Sequence, residues 1–297
     1  MSFHVLELLS GLACVVFCAL LAAVCVRAKL RTLLDRAQEQ ESGLPASQDK
    51  ITQSTPKSYT QRSRLAITLA ACAGMIAFLG MPFGSLPSLL PFRWGGLVVL
   101  GCLALALGFE GEWTWDGAAR RKTRALALLG LALALFAWYA RQRGVPGELF
   151  SLDSYMATPL AGLMGWQGWL GMLLLALAIL LAVRDVQQDL ASGLARLTRL
   201  APDEARAAVI LALVRQIWIL AVLGVAACLF APLYPTGLLG MSGVAGIAAD
   251  ALVFWLKLLI ADHVLWLTAK TLPQTSVWLP RAQVLLTGCG ALCIFFA

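Results

Sequence analysis

Apolar residues fall into eight runs, at about 3–26, 65–82, 95–109, 123–140, 166–183, 206–231, 241–268 and 282–297, separated by polar segments. About 20 apolar residues suffice for a helix to cross a bilayer, so each run predicts one spanning helix. Pro82, Pro87 and Pro91 punctuate the chain between the second and third runs. Gly144, Pro146 and Gly147 separate the fourth from the fifth, and Pro232 and Pro235 close the sixth. Residues 155–169, rich in Gly, Met and Trp, predict an interfacial or re-entrant piece, with Trp166 and Trp169 at the headgroup level. The first run has no basic residue before it and ends in Arg27-Ala-Lys29-Leu-Arg31. That is the reverse of a secretory signal's polarity, so an uncleaved span is expected.

Composition agrees with the pattern: 60% of residues are hydrophobic and only 13% charged. No water-facing domain could bury that much apolar surface. The expected fold class is therefore an all-α polytopic membrane protein of about eight transmembrane helices, forming a single transmembrane domain over 1–297. Residues 27–64 form its largest polar segment, with a basic surface helix expected to Gln40 and a loop beyond. The 23 Lys and Arg residues are distributed unevenly. Eighteen lie in the loops after the first, third, fifth and seventh spans; Arg93, Arg141 and Arg143 lie on the opposite side, and Arg215 and Lys257 lie inside spans. The positive-inside rule then places the odd loops in the cytoplasm and both termini outside, in a bacterial-type inner membrane.

Candidate chemistry is sparse. The eight cysteines all sit in apolar runs without a CxxC pair, and His4 and His263 are the two imidazoles. Buried hydrophobic thiols are expected, rather than a disulfide framework, a metal site or a cluster site. No nucleophile–base pair, phosphate-cradling Gly loop or nucleic-acid signature is present, so a stand-alone enzyme is the least supported class.

The charges inside spans carry more information, because an unpaired ionisable group at mid-depth costs a few kcal/mol. The stretch Asp250-Ala-Leu-Val-Phe-Trp-Leu-Lys257-Leu-Leu-Ile-Ala-Asp262-His263 holds four of them. Asp250 and Lys257, seven residues apart, share a helix face at roughly 10 Å. Asp262 points about 140° away from Lys257, given about 100° per residue, and Arg215 of the sixth span is its expected partner. His263 is expected to be satisfied by a backbone carbonyl rather than to relay protons. Lys257 has no evident partner beyond Asp250, which leaves an acid from a neighbouring subunit as an alternative. A buried structural charge network in a helix bundle is the favoured reading of the set.

From the sixth span onward the order resembles a known family: a span with a basic residue, Leu-Phe-Ala-Pro232, a Gly-rich exit, a span with central Lys257, then Pro280-Arg281 and a last span. This is similar to respiratory complex I subunit 1, particularly the membrane anchor subunits of formate hydrogenlyase and energy-converting membrane-bound hydrogenases. Val26-Arg27-Ala-Lys29-Leu30 and Gly117-Ala118-Ala119-Arg120 resemble that family's basic exit and Gly-Ala-Ser-Arg segment. The departures fall on the family's acids. Arg121 stands where it has Glu, Leu129-Gly130 where it has Glu-Pro, and Ala269 or Lys270 where another acid is found. Gln40 and Asp189 read as remnants of its quinone-side loop and its Phe-Asp signature.

The resemblance implies a non-catalytic membrane anchor subunit that docks a cytoplasmic redox module, beside antiporter-like membrane subunits. Arg120, Arg121, Lys122, Asp189, Arg196 and Arg199 would form the docking contacts. Iron–sulfur clusters or a NiFe centre would reside in partners, this chain would carry no cofactor, and quinone binding and proton transfer would be largely lost. The positive-inside bias and anionic lipid are the simpler account of those basic residues. Two alternatives remain open: an ion-conducting subunit of the same complex, and a small independent transporter. No internal repeat or matched pair of broken helices supports the latter.

Overall fold

The computed structural model describes residues 16–33, 61–82, 94–111, 118–145, 148–157, 160, 163–197, 202–240, 243–271 and 278–297. These residues are helical almost throughout, and no strand occurs among them. The first helix, α1, covers 16–33. It is followed by α2 (Gln61–Leu79), α3 (Gly95–Gly111), α4 (Ala118–Gln142), the short α5 (Leu152–Ala157), α6 (Trp166–Leu197), α7 (Pro202–Phe230), the short α8 (Pro235–Leu239), α9 (Gly243–Thr271) and α10 (Trp278–Phe295). Each predicted apolar run thus carries a helix. Five stretches are long and apolar enough to cross a membrane: Ala119–Gln142, Trp166–Ala191, Ala208–Leu239, Ala245–Ala269 and Trp278–Phe295. Leu65–Leu79 and Gly95–Phe109 are shorter apolar helices. The chain is a multi-pass membrane protein.

Several helices overrun the apolar runs that predict them. The fifth run ends near 183, whereas α6 continues to Leu197, so Asp189 sits on a helix and not in a loop. At 1.5 Å per residue its 32 residues span about 48 Å, well beyond a hydrocarbon core. The added turns persist because they bury polar side chains against α7 and α9 instead of exposing them. Helix α4 stops where its sequence demands. Gly144 takes a left-handed φ of 62°, its N–H donates to the Arg141 carbonyl, and Val145 N–H donates to Ala140 at 3.0 Å. This is a Schellman ending, followed at once by Pro146.

The core is built on α6 and α7. α6 packs on α4, α7, α9 and α10, while α7 also meets α2, α3, α4, α5 and α9. Leu175, Ala178, Ile179, Trp218, Leu220 and Ala221 are essentially inaccessible and belong to one contiguous core. α10 lies at the margin, held to α6 by a backbone-close crossing. A Cβ on Gly171 would meet the Gly290 carbonyl at 2.8 Å, and one on Gly290 would meet the Gly171 carbonyl at 3.0 Å. Small residues permit such approach, the usual basis of helix pairing where hydrophobic exclusion of water is absent.

Candidate functional site: a buried polar layer and a clasped helix break

α1, α3, α6 and α9 finish, and α2, α4, α7 and α10 begin, at one end of the bundle, here termed the basic end. Just inside it lies a layer of buried polar side chains. At its centre, Lys29 of α1 forms an ion pair with Asp262 of α9, Nζ to Oδ2 at 2.9 Å. Lys29 also donates to Asp262 Oδ1 at 2.9 Å, to Gln187 Oε1 of α6 at 3.0 Å and to Gln216 Oε1 of α7 at 2.8 Å. Both amides return the favour to the anion: Gln216 Nε2 donates to Asp262 Oδ1 at 2.9 Å, and Gln187 Nε2 donates to the same oxygen. Each glutamine therefore bridges cation and carboxylate. All three ammonium donors of Lys29 are directed at partners within the quartet. Trp266 covers Lys29 with its ring centroid 5.1 Å from Nζ. Charges buried this deeply persist only with such complete pairing.

The expected Asp262–Arg215 bridge does not form. Lys29 occupies Asp262 instead, because α1 packs against the face of α9 that carries the carboxylate. Arg215 is itself buried, and its charge acts on Asp189. His263, next along α9, is exposed and makes no hydrogen bond among the described residues. The backbone carbonyl expected to satisfy it is not engaged, since the ring points off the bundle.

The residues expected to form docking contacts divide. Arg120 is exposed. Arg121 pairs with Asp189 at 3.1 Å, so these two engage one another across α4 and α6. Lys122 is fully buried over the Trp218 ring, 5.2 Å from its centroid, and is absent from the surface. One turn of helix carries α4 from solvent into the core, which separates three adjacent cations by environment. Arg199 and the side chain of Arg196 lie outside the described residues, as do His4 and Gln40.

Nearby, α6 finishes what α9 leaves open. Arg184 Nε donates to the Thr268 carbonyl at 3.4 Å, and Gln188 Nε2 donates to Ala269 at 3.2 Å. These carbonyls belong to the last turn of α9, which lacks intrahelical donors, and a cation there also suits the helix dipole. Sequence reasoning missed Gln187, Gln216, Arg184 and Gln188 and gave Lys29 no partner. The available signal was periodic: Arg184, Gln187 and Gln188 recur at helical spacing directly after an apolar run, and Arg215-Gln216 interrupts another.

A second feature lies in the other half of the bundle. Between α7 and α8 the backbone leaves the helix at Ala231–Tyr234, which contains Pro232 and is followed by Pro235. Lys257, the central residue of α9, donates to the carbonyls of Ala231 (2.8 Å) and Leu233. Its ammonium also lies 4.1 Å from the Tyr234 ring centroid. Asp250, two turns earlier, accepts from the Thr236 N–H at 3.0 Å and the Thr236 hydroxyl at 2.6 Å. One charge therefore holds the C-terminal end of α7 and the opposite charge the N-terminal end of α8, each with the sign the helix dipole favours. Lys257 finds its partners inside this chain, and no acid from a neighbour is required. Among the described residues the buried Tyr234 hydroxyl has no hydrogen-bond partner. In α5, outside the spanning segments, burial pushes the Tyr155 phenol above its usual value, and it donates to the Leu149 carbonyl. Among the described residues, no group of three or more His, Cys, Asp or Glu side chains is placed to hold a metal ion.

No family model matches the sequence, and no curated protein matches it. Among solved structures, the chain is similar to one from the membrane-bound sulfane sulfur reductase (MBS), described as an archaeal respiratory membrane complex. The likeness covers 98% of this chain and 99% of that one, with a TM-score of 0.57 and 16% identity. At that identity it defines the class of fold: a multi-helix membrane protein built like a chain of that complex.

Proposed function

We propose that this chain is the membrane anchor subunit of a complex I-like or hydrogenase-like respiratory oxidoreductase, holding an electron-transfer module at its basic, cytoplasmic end. The observation that carries this reading is the likeness over essentially the whole length of both chains to a component of a respiratory membrane complex. The eight spans and outer termini expected from hydropathy and charge belong to the same proposal. The chemistry of the polar layer supports an anchor rather than a conductor. Lys29, Gln187, Gln216 and Asp262 consume one another's hydrogen-bonding capacity, and a proton path needs groups able to exchange protons with a next site. Redox cofactors would reside in partner subunits, alongside further membrane subunits of antiporter type, with quinone binding and proton transfer through this chain largely lost.

The test is mild-detergent purification from the native membrane, followed by identification of co-eluting chains and an iron assay. Co-elution with iron-containing redox subunits is expected. A chain that elutes alone, free of redox partners, overturns the reading.

The clasped break favours a second reading, an ion-conducting subunit of the same complex, since interrupted helices at membrane depth often border transport sites. Lys257→Ala in the reconstituted complex separates the two: lost ion movement with assembly intact supports conduction, whereas failed assembly supports the anchor.

A further inference from the structure

At the basic end, α4 and α10 begin beside each other, and Gln283 of α10 is buried between them and α6. Its Nε2 donates to the Ala178 carbonyl at 3.2 Å, and its Oε1 accepts from Arg124 of α4 at 3.3 Å. A buried amide thereby fixes the guanidinium of an exposed arginine. Arg281, two residues before Gln283, is also exposed, with its guanidinium carbon 5.8 Å from the centroid of the Trp278 ring. Among the described residues neither arginine pairs with a carboxylate. Asp185, which feels the Arg124 charge, bonds Arg184 at 3.4 Å. A guanidinium offers five N–H donors, so most of the donors of both side chains are unspent. One turn further along α10, Val284 and Leu285 are 72% and 67% exposed, and Trp278 at the helix start is 75% exposed.

We propose that this edge binds the phosphate of an anionic phospholipid, held by Arg124 and Arg281, with Trp278 at headgroup level and acyl chains along Val284 and Leu285. Three features select a lipid over an acidic protein. Guanidinium groups match phosphate oxygens in geometry and charge. Exposed Trp favours the boundary between headgroup and hydrocarbon. The cationic head continues directly into an apolar strip on the flank of the bundle, which is the amphipathic outline of a phospholipid. Preordering of Arg124 by Gln283 lowers the entropy lost on binding. The site requires that the chain span a membrane and not that it join any particular complex.

The test is native mass spectrometry of the detergent-purified full chain, titrated with phosphatidylglycerol or phosphatidylcholine. Wild type should retain phosphatidylglycerol at least about tenfold better, at about fivefold per cation near an anionic surface. In Arg124→Gln/Arg281→Gln the two lipids should become equivalent, with the melting temperature unchanged. Arg141→Gln, at the opposite end of α4, should keep the wild-type preference. Should the double variant fail to fold, Arg281→Gln alone, which loses only the Trp278 contact, should reduce the preference about fivefold. Equal retention of both lipids by wild type, an unaltered preference in a folded variant, or an equal loss in Arg141→Gln would overturn the site. So would protection of Arg124 and Arg281 from arginine-modifying reagents only when a partner subunit is present.

Discussion

Asp262 accepts a hydrogen bond from Lys29 at 2.9 Å across 233 positions of sequence, with both side chains about 5% exposed or less. Removing one member leaves the other charged and buried, at a cost of about 3–5 kcal/mol, whereas replacing both with apolar residues is often close to neutral. Asp262→Leu or Lys29→Met alone should therefore lower stability sharply, and Asp262→Leu/Lys29→Met together should recover most of it. A double-mutant cycle by denaturant unfolding in micelles measures the coupling. The same cycle with Arg215→Met and Asp262→Asn should give a coupling below about 0.5 kcal/mol, as for residues that share no contact.

Lys257 and Asp250 make a different prediction, because each holds backbone groups and not another side chain. Lys257→Met leaves the part-buried Ala231 carbonyl and the exposed Leu233 carbonyl without that donor, and a loss of about 1 kcal/mol, the net worth of a typical hydrogen bond, is expected. Asp250→Asn keeps an acceptor for Thr236 and should cost less. Thermal unfolding of both variants in detergent ranks them. A Lys257→Met protein as stable as wild type would show that the break persists without its clasp.

The glycine contact between α6 and α10 gives an internal control. Gly290→Val would force a side chain against the Gly171 carbonyl and the Leu175 N–H, both 3.0 Å from the new Cβ. Overpacking of this kind costs about 1–3 kcal/mol or more. Gly288→Ala, two residues away with nothing within 4 Å, should be neutral or slightly stabilising, since Ala is the better helix former by about 1 kcal/mol. Protease sensitivity and melting temperature should separate the two variants clearly.

Adjacent cations on α4 separate folding from assembly. Arg120 is exposed and Lys122 is inaccessible. Under the proposed anchor role, Arg120→Glu should leave the melting temperature unchanged while weakening co-purification of the partner redox subunits that the proposal requires. Lys122→Ala should destabilise the isolated chain, because it empties the space over Trp218. Assembly left intact by Arg120→Glu would remove Arg120 from the proposed docking surface.

Much of the architecture was legible from hydropathy. Every apolar run carries a helix among the described residues, and Gly144 and Pro232 mark endings, and Pro235 a beginning, that the backbone respects. The limits of α6 were not legible, because hydropathy stops at the first charged residue. The helix continues past that residue because Arg184, Gln187 and Gln188 find buried partners on α1 and α9. Asp250 and Lys257 were correctly placed on one face, yet their roles differ from a simple pair. Both reach a backbone segment about 14 to 26 residues upstream in sequence, which a helical wheel cannot show.

The sequence by itself determined the membrane-spanning class, the all-helical architecture and the presence of charges within the α9 span. These follow from one-dimensional quantities, namely the free energy of moving each side chain out of water and the period of the helix. Tertiary structure alone decided who pairs with whom. Lys29 rather than Arg215 neutralises Asp262, and Arg121 stays near the surface while Lys122 enters the core. Such choices depend on which helices become neighbours and at what depth. Partner identity is a property of close packing in three dimensions, and no local pattern around Lys29 records where Asp262 will be.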